Sequence, residues 1–352
     1  MNMLVDGEWR TDAYESTDEA GEFDRQETSF RNWLDGSVAA AGEAPKSTEF
    51  PAESGRYHLY ICRACPWAHR AAMTRQLRGL QDDISISLVQ PERYDEGWEF
   101  SAEHPDPLGG HDYLREVYTD ADPEFTGRVT VPVLWDKQEE TIVNNESSEI
   151  MRMLDTAFDG NDASLYPADL REEIDEIVDA IYDPINNGVY RAGFAGTQAA
   201  YENAVDDLFD ALDHWEGVLA EQRYLAGDGE RLTLADVAMF ATLVRFDHVY
   251  HTHFKCNRRA IHEYPNLWGY TKDLYQTPGE PSGSSDGRTG SETTRESGVP
   301  ETVNMDHITR HYYVSHGDIN PKRIVAVGPD IDFTEPHSRD ELPGGPPATL
   351  FE

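Results

Sequence analysis

The chain has 352 residues, room for two domains, with 67 acidic side chains against 29 basic ones and a formal net charge of −38. Such a surface repels phosphate backbones and anionic membranes, which argues against nucleic-acid and membrane partners. Three cysteines are too few for a disulfide scaffold, and no apolar run approaches the ~18–20 residues of a membrane span, so a cytoplasmic, reducing setting is expected.

Residues 1–55 are polar and rich in turn formers, apart from Phe30 and Trp33, and read as an extension. From 56 to 160 the pattern is mixed. It predicts a strand over 57–61, a helix over 66–79 and a strand over 84–89. A long loop over 90–128 follows, then a strand pair at 131–135 and 140–143 and a helix over 146–158. The order β-α-β-loop-β-β-α is that of a thioredoxin-like domain. From 165 to 327 the pattern is helical. Ile174, Ile177, Val178, Ile181 and Ile185 form one stripe, and Tyr201, Val205, Leu208, Leu212, Trp215 and Leu219 another. A long, largely apolar helix over 234–254 is expected at the centre of a bundle, capped by Thr233 with Asp236 three residues on. The Gly-Ser-Thr-acid stretch 279–298 reads as a disordered loop. Structure resumes at Val299. The run from Tyr312-Tyr313 to Ile324-Val325-Ala326-Val327 reads as a tail with some packing, and 328–352 as its end.

The run Cys65-Pro66-Trp67-Ala68-His69-Arg70 carries the chemistry. It follows the β-prone segment Arg56-Tyr57-His58-Leu59-Tyr60-Ile61 and opens a helical pattern with apolar residues at Trp67, Ala68, Ala71, Ala72, Leu77 and Leu80. A helix N-terminus carries about half a positive charge and unpaired N–H groups, and thiols so placed have pKa values lowered to ~3.5–7.5. Pro66 suits the first helical position, where a missing N–H costs nothing. The placement favours a reactive thiol over a small buried cysteine beside a turn. Cys62 makes the spacing Cys-x-x-Cys, a redox pattern that offers Cys62 as a resolving thiol able to bridge to Cys65, but with the helix-start cysteine second instead of first, which favours a small buried residue there. Cys62, Cys65 and His69 also have ligand-like spacing, and His248, His251, His253 and Cys256 cluster later. The later group falls within one predicted helix without sharing a face, and no metal is expected.

Together with these residues, a series of motifs in order gives the chain its resemblance. They are Phe30-Arg31-Asn32-Trp33-Leu34, Gly97-Trp98, Gly127-Arg128-Val129-Thr130-Val131-Pro132-Val133-Leu134-Trp135-Asp136 and Ile142-Val143-Asn144-Asn145-Glu146-Ser147. Asn187-Gly188-Val189-Tyr190, Arg245-Phe246-Asp247, His253-Phe254-Lys255-Cys256, His311-Tyr312 and Ile319-Asn320-Pro321 complete the series. The chain resembles the glutathionyl-hydroquinone reductases, the Xi class of the glutathione transferase superfamily, over nearly its whole length. The resemblance implies a thioredoxin-like N-terminal domain, an all-α C-terminal domain and a homodimer. The acid-rich, lysine-poor composition is that of extreme halophiles, so a haloarchaeal source is expected. Two departures stand out: Cys62 is no part of the family pattern, and 279–298 looks inserted.

By resemblance, Cys65 is the nucleophile. The co-substrate is glutathione or γ-glutamylcysteine, with no tightly bound cofactor, and the partner is a small thiol-conjugated quinol. Val131-Pro132 reads as the cis-proline turn of thioredoxin-like folds, where exposed backbone groups pair with a peptide. Glu146-Ser147 begins a helix whose N–H groups suit a carboxylate, while Glu146 takes an ammonium. Trp98 and Arg128 match family residues at the same peptide site. Tyr190, Tyr250 and Tyr312 match tyrosines at the quinol end, where a phenol O–H can protonate the ring carbon as the C–S bond breaks. The expected activity is thiol-dependent reduction of glutathionyl- or γ-glutamylcysteinyl-hydroquinones through a cysteinyl mixed disulfide. One rival is an omega-like thiol transferase or dehydroascorbate reductase, which needs the cysteine but not the tyrosines. The other is a non-catalytic binding module of the same fold, against which the intact cysteine motif argues.

Overall fold

The computed structural model describes residues 2–13, 17–23, 25–40, 49–278 and 298–347. β1 (Met3–Val5) and β2 (Glu8–Arg10) form an antiparallel hairpin. Its turn residues Asp6 and Gly7 both have positive φ, 49° and 75°, the handedness that suits a two-residue hairpin. The N-terminal segment is therefore more than a plain extension. Leu4 pairs with Gly127, and residues 30–32 run antiparallel beside Asn144, with Asn32 N–H bonded to Val143 and Asn145 N–H to Phe30.

β3 (Tyr57–Ile61) is buried along its whole length, as its unbroken apolar-aromatic run requires. Helix α1 (Pro66–Leu77) follows, and β4 (Ser85–Leu88) returns parallel to β3. The stretch expected as one long loop contains α2 (Leu114–Ala121), where Leu114, Val117 and Tyr118 bury one face. β5 (Val133–Asp136) pairs antiparallel with β3, and β6 (Thr141–Asn144) with β5, giving the sheet order β4-β3-β5-β6. A two-pronged Arg56–Asp136 ion pair, 2.6–3.0 Å, ties the start of β3 to the end of β5. α3 (Ser147–Thr156) packs against α1.

The all-α part comprises α4 (Arg171–Ile181), α5 (Gly188–Gly193), α6 (Gln198–Val218), α7 (Leu234–Arg245), α8 (Pro265–Tyr275) and α9 (Met305–Ser315). α7 is buried at every position, as its apolar sequence predicts. The expected helix over 234–254 is interrupted. α7 ends at Arg245, and a π turn at Phe246–Tyr250 follows, with His251 N–H bonded to Phe246 C=O at 2.9 Å. A second π turn, Tyr182–Asn186, precedes α5. Two apolar cores result, one under the sheet and one inside the helices. α1 stands between them, with Ala68, Ala71 and Ala72 in the first and Met73 and Leu77 in the second.

Of the loop expected at 279–298, all but Gly298 lies outside the described residues. Pro278 and Gly298 face each other across an antiparallel bridge, and Val299 N–H donates to Thr277 C=O at 3.1 Å. The expected tail needs correction. Tyr312 and Tyr313 are buried on α9, whereas Ile324 and Val327 are exposed, outside every described helix and strand. Packing resumes at Phe333, which is buried against Trp268 and Tyr275, and continues at Arg339, which is buried and donates to the carbonyls of Leu219 and Arg223.

Candidate active site

The sequence places Cys65 where β3 gives way to α1. It is the extended residue just before the helix, with Pro66 in the first turn. The backbone N–H groups of Ala68 and Trp67 point at its sulfur. On the far side of the thiol, the peptide bond Val131-Pro132 is cis, and Cys65 Sγ donates to Val131 C=O at 3.6 Å. Beneath the loop, the buried Arg245 of α7 donates to the carbonyls of Ala64 at 2.9 Å and Arg63 at 3.0 Å. A third bond goes from Arg245 to His69 Nδ1 at 2.9 Å. The guanidinium only donates, so His69 carries its proton on Nε2, which meets Thr302 Oγ1 at 2.7 Å. Burial, then Arg245 and Arg63, hold His69 neutral.

The expected fall in the Cys65 pKa is corrected by its depth. Burial pushes the thiol up, against the pull of the Ala68 N–H, Arg245, the Trp67 N–H and Arg25. The stabilising groups read from the helix start are present; desolvation outweighs them here.

Cys62 and Cys65 are both free thiols. Cys65 N–H donates to Cys62 C=O at 3.0 Å, so residues 62–65 form a tight turn whose ends lie within the ~7 Å that a disulfide spans. The sulfurs face apart, however. Cys62 Sγ donates to Gln90 C=O at 3.8 Å, after β4, while Cys65 faces Val131, before β5, on the other side of β3. Burial pushes Cys62 up to about 12. Among the described residues no cluster of three or more His, Cys, Asp or Glu side chains is arranged to hold a metal ion.

A cavity of about 620 Å³ opens over Cys65. Trp98, Arg128, Val131, Pro132, Glu146 and Ser147, the whole peptide-site set read from the sequence, line it. Gly97 (φ 85°) sets up Trp98, and a Cβ there would meet the Trp9 ring at 2.9 Å. Trp98 stacks on His311, ring centroids 5.1 Å apart. Glu146 caps α3 by accepting from Ser148 N–H, and its other oxygen accepts from Thr28.

At the other end of the cavity the wall is aromatic: Phe23, Trp67, Tyr182, Tyr190 and Phe194. The three tyrosines named from the sequence meet there. Tyr312 OH lies 2.5 Å from Tyr190 OH and 2.9 Å from Tyr250 OH. Only Tyr190 borders the cavity; Tyr312 and Tyr250 are buried behind it. Burial raises the pKa of all three, so they are neutral O–H donors.

Sequence reasoning gave no role to the N-terminal segment, yet Phe23 and Arg25 enter this wall. The Arg25 guanidinium lies 4.7 Å from the Trp67 ring centroid and 5.0 Å from that of Tyr190, and Nε–H donates to Asn187 Oδ1 at 2.9 Å. The available signal was Arg25 itself, the one basic residue between Arg10 and Arg31 in a strongly acidic stretch. The buried His311 and the half-buried His316, both on the cavity, were also missed as lining residues.

A thioredoxin-like domain with a thiol at its helix start, a cis-proline opposite and an all-α domain closing the cavity defines the glutathione transferase class. Residues 64–157 match the glutathione S-transferase N-terminal domain and 198–273 the glutathione S-transferase C-terminal domain. The chain belongs to the glutathione transferase family, in its Xi class. It is 46% identical over 348 residues to the glutathionyl-hydroquinone reductase YqjG of Escherichia coli (strain K12), covering 97% of this chain and 99% of that protein. It is 46% identical over 335 residues to the glutathionyl-hydroquinone reductase PcpF of Sphingobium chlorophenolicum, covering 94% and 96%. The solved Xi-class transferase from Natrialba magadii superposes with a TM-score of 0.83 at 55% identity over 98% of both chains. Glutathione-bound YqjG from Escherichia coli K-12 gives 0.81 at 44% identity over 96% of this chain and 99% of that one.

Proposed function

We propose that the protein reduces glutathionyl-hydroquinones to hydroquinones, with glutathione or γ-glutamylcysteine as co-substrate. The observation that carries this reading is that one cavity is bordered by Cys65, by a polar peptide-site end and by an aromatic end that includes Tyr190, whose hydroxyl bonds that of Tyr312. The relatives named as glutathionyl-hydroquinone reductases and the glutathione-bound neighbour support it.

In the proposed cycle the Cys65 thiolate attacks the sulfur that joins the peptide to the ring. The C–S electron pair stays with the ring, whose carbon takes a proton from the tyrosine cluster. Hydroquinone leaves and Cys65 is held as a mixed disulfide. A second thiolate peptide then attacks the peptide sulfur, regenerating Cys65 and releasing the oxidised dimer. The net change is one C–S bond reduced and one S–S bond formed. Glu146 and the N–H groups of α3 would hold the ammonium and carboxylate of the peptide, with Arg128 and Trp98 beside them.

We also read the protein as a homodimer of a reducing, salt-rich haloarchaeal cytoplasm. The charge of −38, the Natrialba relative and the three free thiols support that setting. The decisive experiment is Cys65→Ser assayed with a glutathionyl-hydroquinone. Folding should be retained and reduction lost, with a Cys65–glutathione adduct found by mass spectrometry only in the unaltered protein. Reduction by the serine variant would sink the mechanism.

A further inference from the structure

The catalytic reading above leaves Arg25 of the cavity wall without a task. Arg25 arrives from the N-terminal segment, which is pinned at the α5–α6 connection. Gly196 N–H donates to Gly21 C=O at 2.8 Å, and Thr197 Oγ1 to Ala20 C=O at 3.1 Å. The pinned segment lays Phe23 on Phe194, ring centroids 5.4 Å apart, and Arg25 lies over the aromatic end. There the guanidinium faces three rings, Trp67, Tyr190 and Phe23, at 4.7, 5.0 and 5.5 Å. Its one hydrogen bond among the described residues goes to the neutral amide of Asn187, through Nε. Arg25 lines the cavity, and its terminal N–H groups make no hydrogen bond to the described residues. Guanidinium groups offer five donors in a rigid plane and favour both aromatic faces and oxyanions. In a chain of net charge −38, a cation held this way is set where negative charge is to form.

Negative charge forms there in one step only. Once the sulfur-bearing ring carbon has taken its proton, and the ring stands in its keto form, thiolate attack on the sulfur sends the C–S electron pair through the ring onto an oxygen as quinolate. The second half of the cycle passes charge between sulfurs and never loads the ring.

Resting on the hydroquinone reading, we propose that Arg25 stabilises the quinolate anion released as the C–S bond breaks and lets the site accept quinols with weakly acidic phenols. Phenols that ionise readily hold that charge themselves and depend on Arg25 less. Arg25 is then a substrate-facing residue of the first half-reaction alone, and the cavity is a site for flat rings with a hydroxyl turned toward the guanidinium.

The full chain, in molar salt, is compared as wild type, Arg25→Gln and Arg25→Lys. Two substrates are used: a series of glutathionyl-hydroquinones with graded phenol acidity, and the mixed disulfide of glutathione with 2-mercaptoethanol. Loss of one preorganised donor to a developing oxyanion lowers kcat by about 10²–10³-fold, so Arg25→Gln should slow the weakly acidic quinols by that order and the acidic ones less. Arg25→Lys, which keeps the charge but not the fork, should recover part of the rate. Arg25 also pulls down the Cys65 pKa, so the mixed-disulfide rate should shift its pH profile upward and recover at high pH. The quinol rate should not recover there. A quinol rate that recovers with the disulfide rate, an equal loss across all phenol acidities, or no loss at all overturns the proposal. If the wild type reduces the mixed disulfide but no glutathionyl-quinol, the functional reading fails and this inference with it.

Discussion

Tyr190, Tyr312 and Tyr250 form a chain of phenols whose first member alone meets the cavity, and that order assigns them unequal parts. Tyr190→Phe removes the donor nearest the ring and should slow quinol release by about 10²–10⁴-fold. Tyr312→Phe leaves Tyr190 in place but takes away its 2.5 Å partner, so a smaller loss with an altered pH profile is expected. Rapid-quench measurement of quinol release checks both. Mixed-disulfide reduction needs no ring protonation and should hardly change; equal losses in the two assays would assign the tyrosines to packing. At this scale the sequence was legible wherever a residue's placement rests on local motifs. Cys65 at a helix start, Val131-Pro132 at a turn and Glu146-Ser147 at another helix start each announce themselves within a few residues. Arg25 was not legible, because its partners Trp67, Tyr190 and Asn187 lie on other elements and nothing in its neighbourhood names them. The Cys65 pKa was misjudged for a related reason: sequence reveals the helix dipole but not the depth of burial that opposes it.

Helix α7 shows how an element supports chemistry without touching substrate. Its last residue, Arg245, is fully buried and holds the carbonyls of residues 63 and 64 from below. An unsatisfied buried acceptor costs about 1–3 kcal/mol, so Arg245→Met should destabilise the protein by roughly 3 kcal/mol or more, read from denaturant unfolding. The cation also pulls down the Cys65 pKa, so alkylation of Cys65 by iodoacetamide should move to higher pH. An unmoved alkylation profile would leave Arg245 a purely structural role. The start of α7 was readable: Thr233 and Asp236 bond each other and the backbone as their spacing implies. Its end was not, since a π turn inserts one residue without disturbing the apolar run, yet that turn brings Tyr250 to Tyr312. Two missed elements did carry signals. Asp6-Gly7 is a strong hairpin dipeptide, and Leu114, Val117 and Tyr118 mark one face of a short helix in a stretch otherwise rich in glycine and proline.

Across the whole molecule, charge and burial set opposite demands on solvent. With a net charge of −38, repulsion works against the compact state, and screening shortens from ~10 Å at 0.1 M salt to ~3 Å at 1 M. Melting temperature should therefore rise between those salt concentrations, and an unchanged value would remove the halophilic reading. Acid acts through histidines. Burial pushes His58, His253 and His311 down to about 4. Their folded values lie below the unfolded value of about 6.5, so their contribution is complete above pH 6.5 and is lost as pH falls toward 4, on the order of 1–3 kcal/mol each. In molar salt the melting temperature should drop from pH 7 to pH 5, where most carboxylates are still ionised; a flat profile would contradict the neutral assignment. Fold class and domain order followed from composition and motif order, because both depend on patterns that repeat along the chain. The stitching of the N-terminal segment did not, because backbone pairing between residues 30–32 and Asn144 leaves little trace in side-chain type. The bridge between Pro278 and Gly298 has a practical use. The chain leaves the bundle and re-enters it through one hydrogen-bonded doorway, so whatever lies between is spliced into a closed seam. Replacing 279–297 with a short Asn-Gly turn, or with a foreign domain whose termini lie close together, makes this seam, whose flanks Pro278 and Gly298 do not line the cavity, the natural address for building on the enzyme.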